Sequence, residues 1–112
     1  MLGVAIGEDC FNYNYLRELK QMGANILVNP VIYWGRWSPE VEKERSKGCW
    51  AHVQKLKIKY GLCSMAVGQI LDISFEGRSS IIILLEETFN ESGYLVKSRS
   101  HKDEEILSIK VN

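Results

Sequence analysis

Leu2-Gly3-Val4-Ala5-Ile6-Gly7 and Asn25-Ile26-Leu27-Val28-Asn29-Pro30 decide the fold of this chain. Each is a short apolar run closed by a residue suited to a turn. Between them Tyr15, Leu16, Leu19 and Met22 form one apolar face at helical spacing, and Gly23 stands where a helix C-cap belongs. Strand, helix of about three turns and strand, in that order, predict a parallel βαβ unit. Neither run alternates between apolar and polar residues, so both faces of these strands are expected to be covered.

Working outward, Val31 to Trp37 carries Tyr33, Trp34 and Trp37 and reads as an aromatic loop. Ser38-Pro39-Glu40 is a helix start, because serine caps, proline suits the first helical position, and Glu40 and Glu42 complement the dipole. The spacing of Val41, Cys49, Val53, Leu56 and Tyr60 predicts one helix running to about Tyr60 and ended by Gly61. Leu62–Val67, Ser79–Leu85 and Tyr94–Val96 are apolar enough for strands, and Ile106–Val111 alternates as a half-exposed strand would. The class is α/β, a single domain over 1–112, with one mixed sheet of about six strands and two main helices on one face.

The 112 residues suffice for one core and not two. Hydrophobic residues make up 46% and charged residues 25%, and the formal net charge is zero. That balance is ordinary for a globular domain, and it lacks the basic footprint expected of a nucleic-acid binder. The longest apolar run, Ile81-Ile82-Ile83-Leu84-Leu85, falls far short of the roughly 20 residues a membrane span needs. No basic segment or cleavage site follows Met1, so no signal peptide is expected. Three cysteines, Cys10, Cys49 and Cys63, without framework spacing suggest free thiols in a reducing, cytoplasmic setting.

Two helices cover one side of such a sheet. The other side, for five strands about 4.8 Å apart and about 17 Å long, presents roughly 400 Å². An apolar patch of that size on a monomer marks an interaction surface.

The run Gly3-Val4-Ala5-Ile6-Gly7-Glu8-Asp9 resembles the nucleophile motif of the carbon–nitrogen hydrolase (nitrilase/amidase-like) family, a glycine-led apolar strand followed by cysteine, an aromatic residue and an acid. Leu16-Arg17-Glu18-Leu19 is similar to the helix after that nucleophile, and Gly23-Ala24-Asn25-Ile26-Leu27-Val28-Asn29-Pro30 to the family's glycine-alanine, strand, asparagine-proline segment. Trp50, Gly77-Arg78-Ser79 and Gly93-Tyr94-Leu95 extend a weaker match over the rest of the chain. The resemblance implies half of a four-layer αββα sandwich, the C-terminal half of the domain. It also implies an obligate oligomer, or a complex with a chain supplying the other half.

Two departures bear on function. The nucleophile position holds Gly7, which has no side chain to form the thioimidate or acyl intermediate of that chemistry. Glycine fits a tight strand-to-helix elbow at little steric cost. The family's catalytic glutamate and lysine belong to the half that would precede this motif, so neither has a counterpart here. Glu8 replaces the aromatic residue; its backbone N–H is a candidate oxyanion remnant, beside a carboxylate that would oppose developing negative charge.

The expected vestigial pocket comprises Gly7, Glu8, Asp9, Asn29, Pro30 and Trp34, with Asp9 also read as the cap of the following helix. Cys10 is read as a buried free thiol rather than a substitute nucleophile. Cys49 and His52 are half of a metal site with no second pair, so neither metal nor cofactor is expected. His101 falls in a charged run that reads as a solvated turn. Three functions follow: a non-catalytic remnant that oligomerises through its bare sheet face, one subunit of a split amide or nitrile hydrolase, or a truncated frame of a larger hydrolase-like protein.

Overall fold

The computed structural model describes residues 1–88 and 90–109. Strand β1 (Leu2–Val4) is followed by a 3-10 turn over Gly7–Phe11, helix α1 (Tyr13–Gln21) and strand β2 (Ile26–Val31). Helices α2 (Pro39–Arg45) and α3 (Cys49–Leu56) lead to β3 (Tyr60–Met65). A hairpin of β4 (Gly68–Ile70) and β5 (Ile73–Phe75) precedes β6 (Ser80–Ile82) and β7 (Tyr94–Lys97). The main sheet has the order β1-β2-β3-β6-β7. β1, β2 and β3 run parallel, and β6 and β7 are antiparallel additions.

The βαβ unit stands as expected. Leu16 of α1 is fully buried, and Leu19 packs so closely on β1 that a Cβ at Gly3 would lie 3.1 Å from its Cδ1. Pro30, however, does not stop β2: it pairs with Ser64 inside the strand. The hydrogen-bonding parity explains why. Ile26 N–H donates to Met1 O, and Val28 O accepts from Ala5 N–H, so even-numbered residues of β2 turn their backbone groups toward β1. β1 pairs only as far as Val28. The N–H that Pro30 lacks therefore faces a side with no strand, where proline is tolerated.

The single helix expected to Tyr60 is two. Ser38 caps α2 as predicted, accepting from Val41 N–H at 3.1 Å. The helix breaks over 46–48, where the Phe11 ring lies over Gly48, and α3 restarts with Cys49 and Val53 buried. α3 ends at Leu56 with Lys57 in a left-handed conformation, so Gly61 is not its terminator. Gly61 lies within β3 at the closest approach of helix and sheet: a Cβ there would sit 2.7 Å from Val53 Cγ2 and 3.3 Å from Cys49 Sγ.

The sheet therefore has five strands rather than about six, covered on one face by three helices rather than two, and the β4–β5 hairpin was not anticipated. Residues 104–109 are not a strand, and Lys110 and Val111 of the expected alternating segment lie outside the described residues. The opposite face is half open. Leu2 and Val4 are 59% and 47% exposed, whereas Ile81 is only 6% exposed because Glu105 and Leu107 lie across it and Leu62.

Gly61→Ala is expected to destabilise the fold by about 1–3 kcal/mol through overpacking, read as a lower urea midpoint. In a Val53→Ala background most of that loss should vanish. An equal loss in both backgrounds would show that the Gly61–Val53 contact is not its cause.

Candidate functional site

β1 leaves the sheet after Val4, and the chain turns at Gly7 with φ of +57° into the 3-10 turn. This left-handed conformation is costly for a residue with a Cβ. There is nonetheless space, since nothing lies within 4 Å of where that Cβ would be. The elbow is held from beneath by Asn29, 1% exposed, whose Nδ2 donates to Ala5 O at 2.6 Å and to Gly7 O at 3.3 Å.

A groove of about 460 Å³ opens beside the elbow, at the carboxyl ends of the three parallel strands, where ligands bind in open α/β sheets. Its walls are Ile6, Gly7, Pro30, Val31, Ile32, Ser64 and Ala66. None of these seven side chains is an acid, a base or a thiol.

Of the residues expected around the pocket, Gly7 and Pro30 line this groove, and Asn29 lies under it. Glu8 opens onto a separate depression with Phe11, Tyr33, Glu44 and Arg45. Asp9 is exposed and does not cap α1; Asn12 does, accepting from Tyr15 N–H at 3.2 Å. The reason is the intervening 3-10 turn, which delays the helix start to Tyr13. Trp34 is 75% exposed and bridges to Phe75 of the hairpin rather than lining the groove. Cys10 is fully buried in the helix-covered core.

Solved structures share this fold. A carbon–nitrogen hydrolase from Helicobacter pylori G27 superposes with a TM-score of 0.64 at 24% identity, over 92% of this chain and 37% of its own. The amidase from Nesterenkonia sp. AN1, as a double mutant in complex with acrylamide, gives 0.69 at 14% identity, over 90% of this chain and 34% of its own. A single mutant of that nitrilase-superfamily amidase gives 0.68 at 15% identity, over the same shares of the two chains. The chain has the fold of part of a carbon–nitrogen hydrolase. It spans about a third of the length of these relatives. No protein-family model matches the chain, and no curated protein does.

Within this carbon–nitrogen hydrolase fold, the helix-covered face carries a polar core that sequence reasoning did not assemble. Arg45, buried, lies 4.3 Å over the Tyr33 ring and donates to Glu76 O. Burial, and after it the nearby thiols, push the Tyr33 phenol up to about 12, so it stays protonated. Cys49 and Cys63 lie beside these groups around a cavity of about 20 Å³. His52 turns away, its ring 6.0 Å from that of Tyr13, and no cluster of metal-ligating side chains occurs among the described residues.

His101, expected in a solvated turn, instead stacks on Trp37 at 4.7 Å with its Nδ1 3.5 Å from the buried Glu76 carboxylate. The backbone N–H of Trp37 donates to that carboxylate and is the main cause of its depressed pKa; His101, Lys102 and Arg36 add to it. The ring-on-ring contact spans about sixty residues of sequence and had no local signal.

Two measurements follow from this geometry. Asn29→Leu removes the amide donor from the buried Ala5 carbonyl, and a loss of about 1–3 kcal/mol is expected. Asn29→Leu at wild-type stability would mean that the amide does not hold the elbow. Glu76 has its folded-state value depressed, so the stability it contributes is complete above the ordinary carboxylate range and is lost as pH falls through the folded value. Glu76→Gln should flatten the decline in unfolding midpoint below about pH 4.5; an unchanged acid slope would remove Glu76 as its source.

Proposed function

We propose that this chain is a non-catalytic carbon–nitrogen-hydrolase-like remnant, matching the C-terminal half of that domain, which assembles through its open sheet face. The observation that carries the proposal is the groove beside Gly7. A hydrolase of this kind needs a sulfur at the elbow to attack the carbon of an amide or nitrile, together with groups that move protons and stabilise charge. Gly7 brings no sulfur, and its neighbours in the groove bring only apolar surface and the Ser64 hydroxyl. The thiol of Cys10 lies in the core, closed to substrate.

The exposure of Leu2, Val4 and Ile6 along the free edge supports assembly, since the apolar surface of an unpaired layer is stabilised by burial against a second one. The occupant is a second copy of this chain in the remnant reading. The alternative is a split carbon–nitrogen hydrolase acting on amides or nitriles, with a partner chain supplying the glutamate and lysine. The intact elbow, still tied by Asn29, favours that alternative. Among the described residues no helix is long and apolar enough to cross a membrane. Free, buried cysteines support a reducing, cytoplasmic setting.

Incubated with simple amides and nitriles, the purified chain should release no ammonia above the buffer rate. Gly7→Cys should release none either, because base and lysine are still absent. The strain of a Cβ at that φ should lower stability by about 1–2 kcal/mol. Turnover by the unmodified chain that Cys10→Ala abolishes would sink the remnant reading. Sedimentation separates the two assemblies. A monodisperse dimer that Val4→Lys dissociates supports the remnant, and aggregation relieved only by a co-expressed partner half supports the split enzyme. A stable monomer would overturn both.

A further inference from the structure

The elbow and the open face leave one cluster unused: three thiols converge in the helix-covered core, all buried and all free. Cys49, in the first turn of α3, faces β3, where its Sγ would lie 3.3 Å from a Cβ at Gly61. Cys63 follows two residues later on the same face of β3, and its Sγ lies 3.9 Å from Asn29 Oδ1. Cys49, Cys63 and Cys10 belong to one buried core cluster. Only Cys49 and Cys63, however, line the adjoining cavity, with Asn29, Tyr33 and Arg45 among its other walls.

That cavity, about 20 Å³, exceeds the roughly 10–15 Å³ a water molecule requires. Its wall reaches two sulfurs, and Asn29, Tyr33 and the buried Arg45 bring polar groups to it. We propose that Cys49 and Cys63 form a dithiol that hydrogen peroxide, entering this cavity, oxidises to a disulfide.

The surroundings assign the two roles. The neighbouring Cys49 thiol and the Arg45 charge hold the Cys63 thiol below its ordinary value, whereas Cys49 is pushed up by its neighbouring thiols and by burial. The thiolate is the nucleophile, so Cys63 attacks first. Its sulfur bonds to one peroxide oxygen as the O–O bond breaks, and the departing hydroxide takes the proton that Cys63 released, giving water. The Cys49 sulfur then attacks the resulting sulfenic sulfur. The S–S bond forms, the S–O bond breaks, and hydroxide leaves as a second water with the Cys49 proton. The sulfur pair loses two electrons and the peroxide gains two. Cys10, which does not reach the cavity, stays reduced. Such reversible disulfides in a reducing compartment belong to redox-sensing proteins.

The test treats the folded full chain with hydrogen peroxide, removes the excess with catalase, alkylates in denaturant and maps the peptides by mass. The expected result is alkylation at Cys10 alone, with a dithiothreitol-reversible Cys49–Cys63 cross-link within one chain. In Cys49→Ser, dimedone should label Cys63; in Cys63→Ser, neither cross-link nor label should form. Three alkylated thiols, a Cys10–Cys49 link, a link between chains, or over-oxidised Cys63 with no link would each overturn the proposal. So would the same cross-link yield from chain oxidised in urea, because the fold would then not select the pair. Wild-type mapping decides the matter even where a serine variant fails to fold.

Discussion

The side-chain amide of Asn29 holds sheet, elbow and core in one place. Past Val4 the first strand leaves the sheet, and the carbonyls of Ala5 and Gly7 lose the backbone partners that a longer strand would have supplied. Pro30, the next residue of β2 facing that side, has no N–H to offer. Asn29 donates instead, from the helix-covered face, at 2.6 Å to Ala5 O and 3.3 Å to Gly7 O. Buried carbonyls must be satisfied, so the departing chain is drawn under the sheet toward the helices rather than released into solvent. The asparagine–proline pair is thus a physical unit: proline sits where β1 has already ended, and asparagine holds the departing chain.

This explains which parts of the fold were legible in the sequence. The βαβ unit was, because its signals are local: apolar runs of strand length, a helical stripe between them, and a glycine at the helix end. Ser38 was legible for the same reason. Pro30 misled because its effect depends on which neighbour its missing N–H would face, and that is set by where β1 stops. The break between α2 and α3 was hidden because Phe11, some forty residues away, occupies the space over Gly48. At the site, Gly7 and Pro30 were legible through the elbow motif. Trp34 was drawn to the β4–β5 hairpin, two short strands with a weak periodic signal. His101 was misread because its partners, Trp37 and Glu76, are remote in sequence and its own neighbours are charged.

The two faces of the sheet are finished to different degrees, and the difference follows from the strand order. On the helix side, Leu27, Val53, Ile58 and Ile82 are buried under α1 and α3. On the other side, residues 105–107 shield the β3–β6 region but do not reach β1. Leu2, Val4 and Ile6 stand on that edge and remain exposed. Besides Leu95 at the far edge, this residual apolar surface lies next to the elbow groove. A second layer seated there would also roof the groove, so assembly and the environment of the elbow are one problem rather than two.

In the proposed remnant reading, Gly7 is where the fold outlives its chemistry. A nucleophile at a left-handed turn adds strain that only function justifies, and glycine removes that strain without changing the path of the chain. The path is kept because the bonds that fix it come from Asn29 to backbone oxygens, not from any side chain at position 7. A residue without a side chain there therefore leaves sheet, elbow and core intact. Had the elbow been held by the nucleophile itself, its replacement would have unravelled the turn and, with it, the register between β1 and β2.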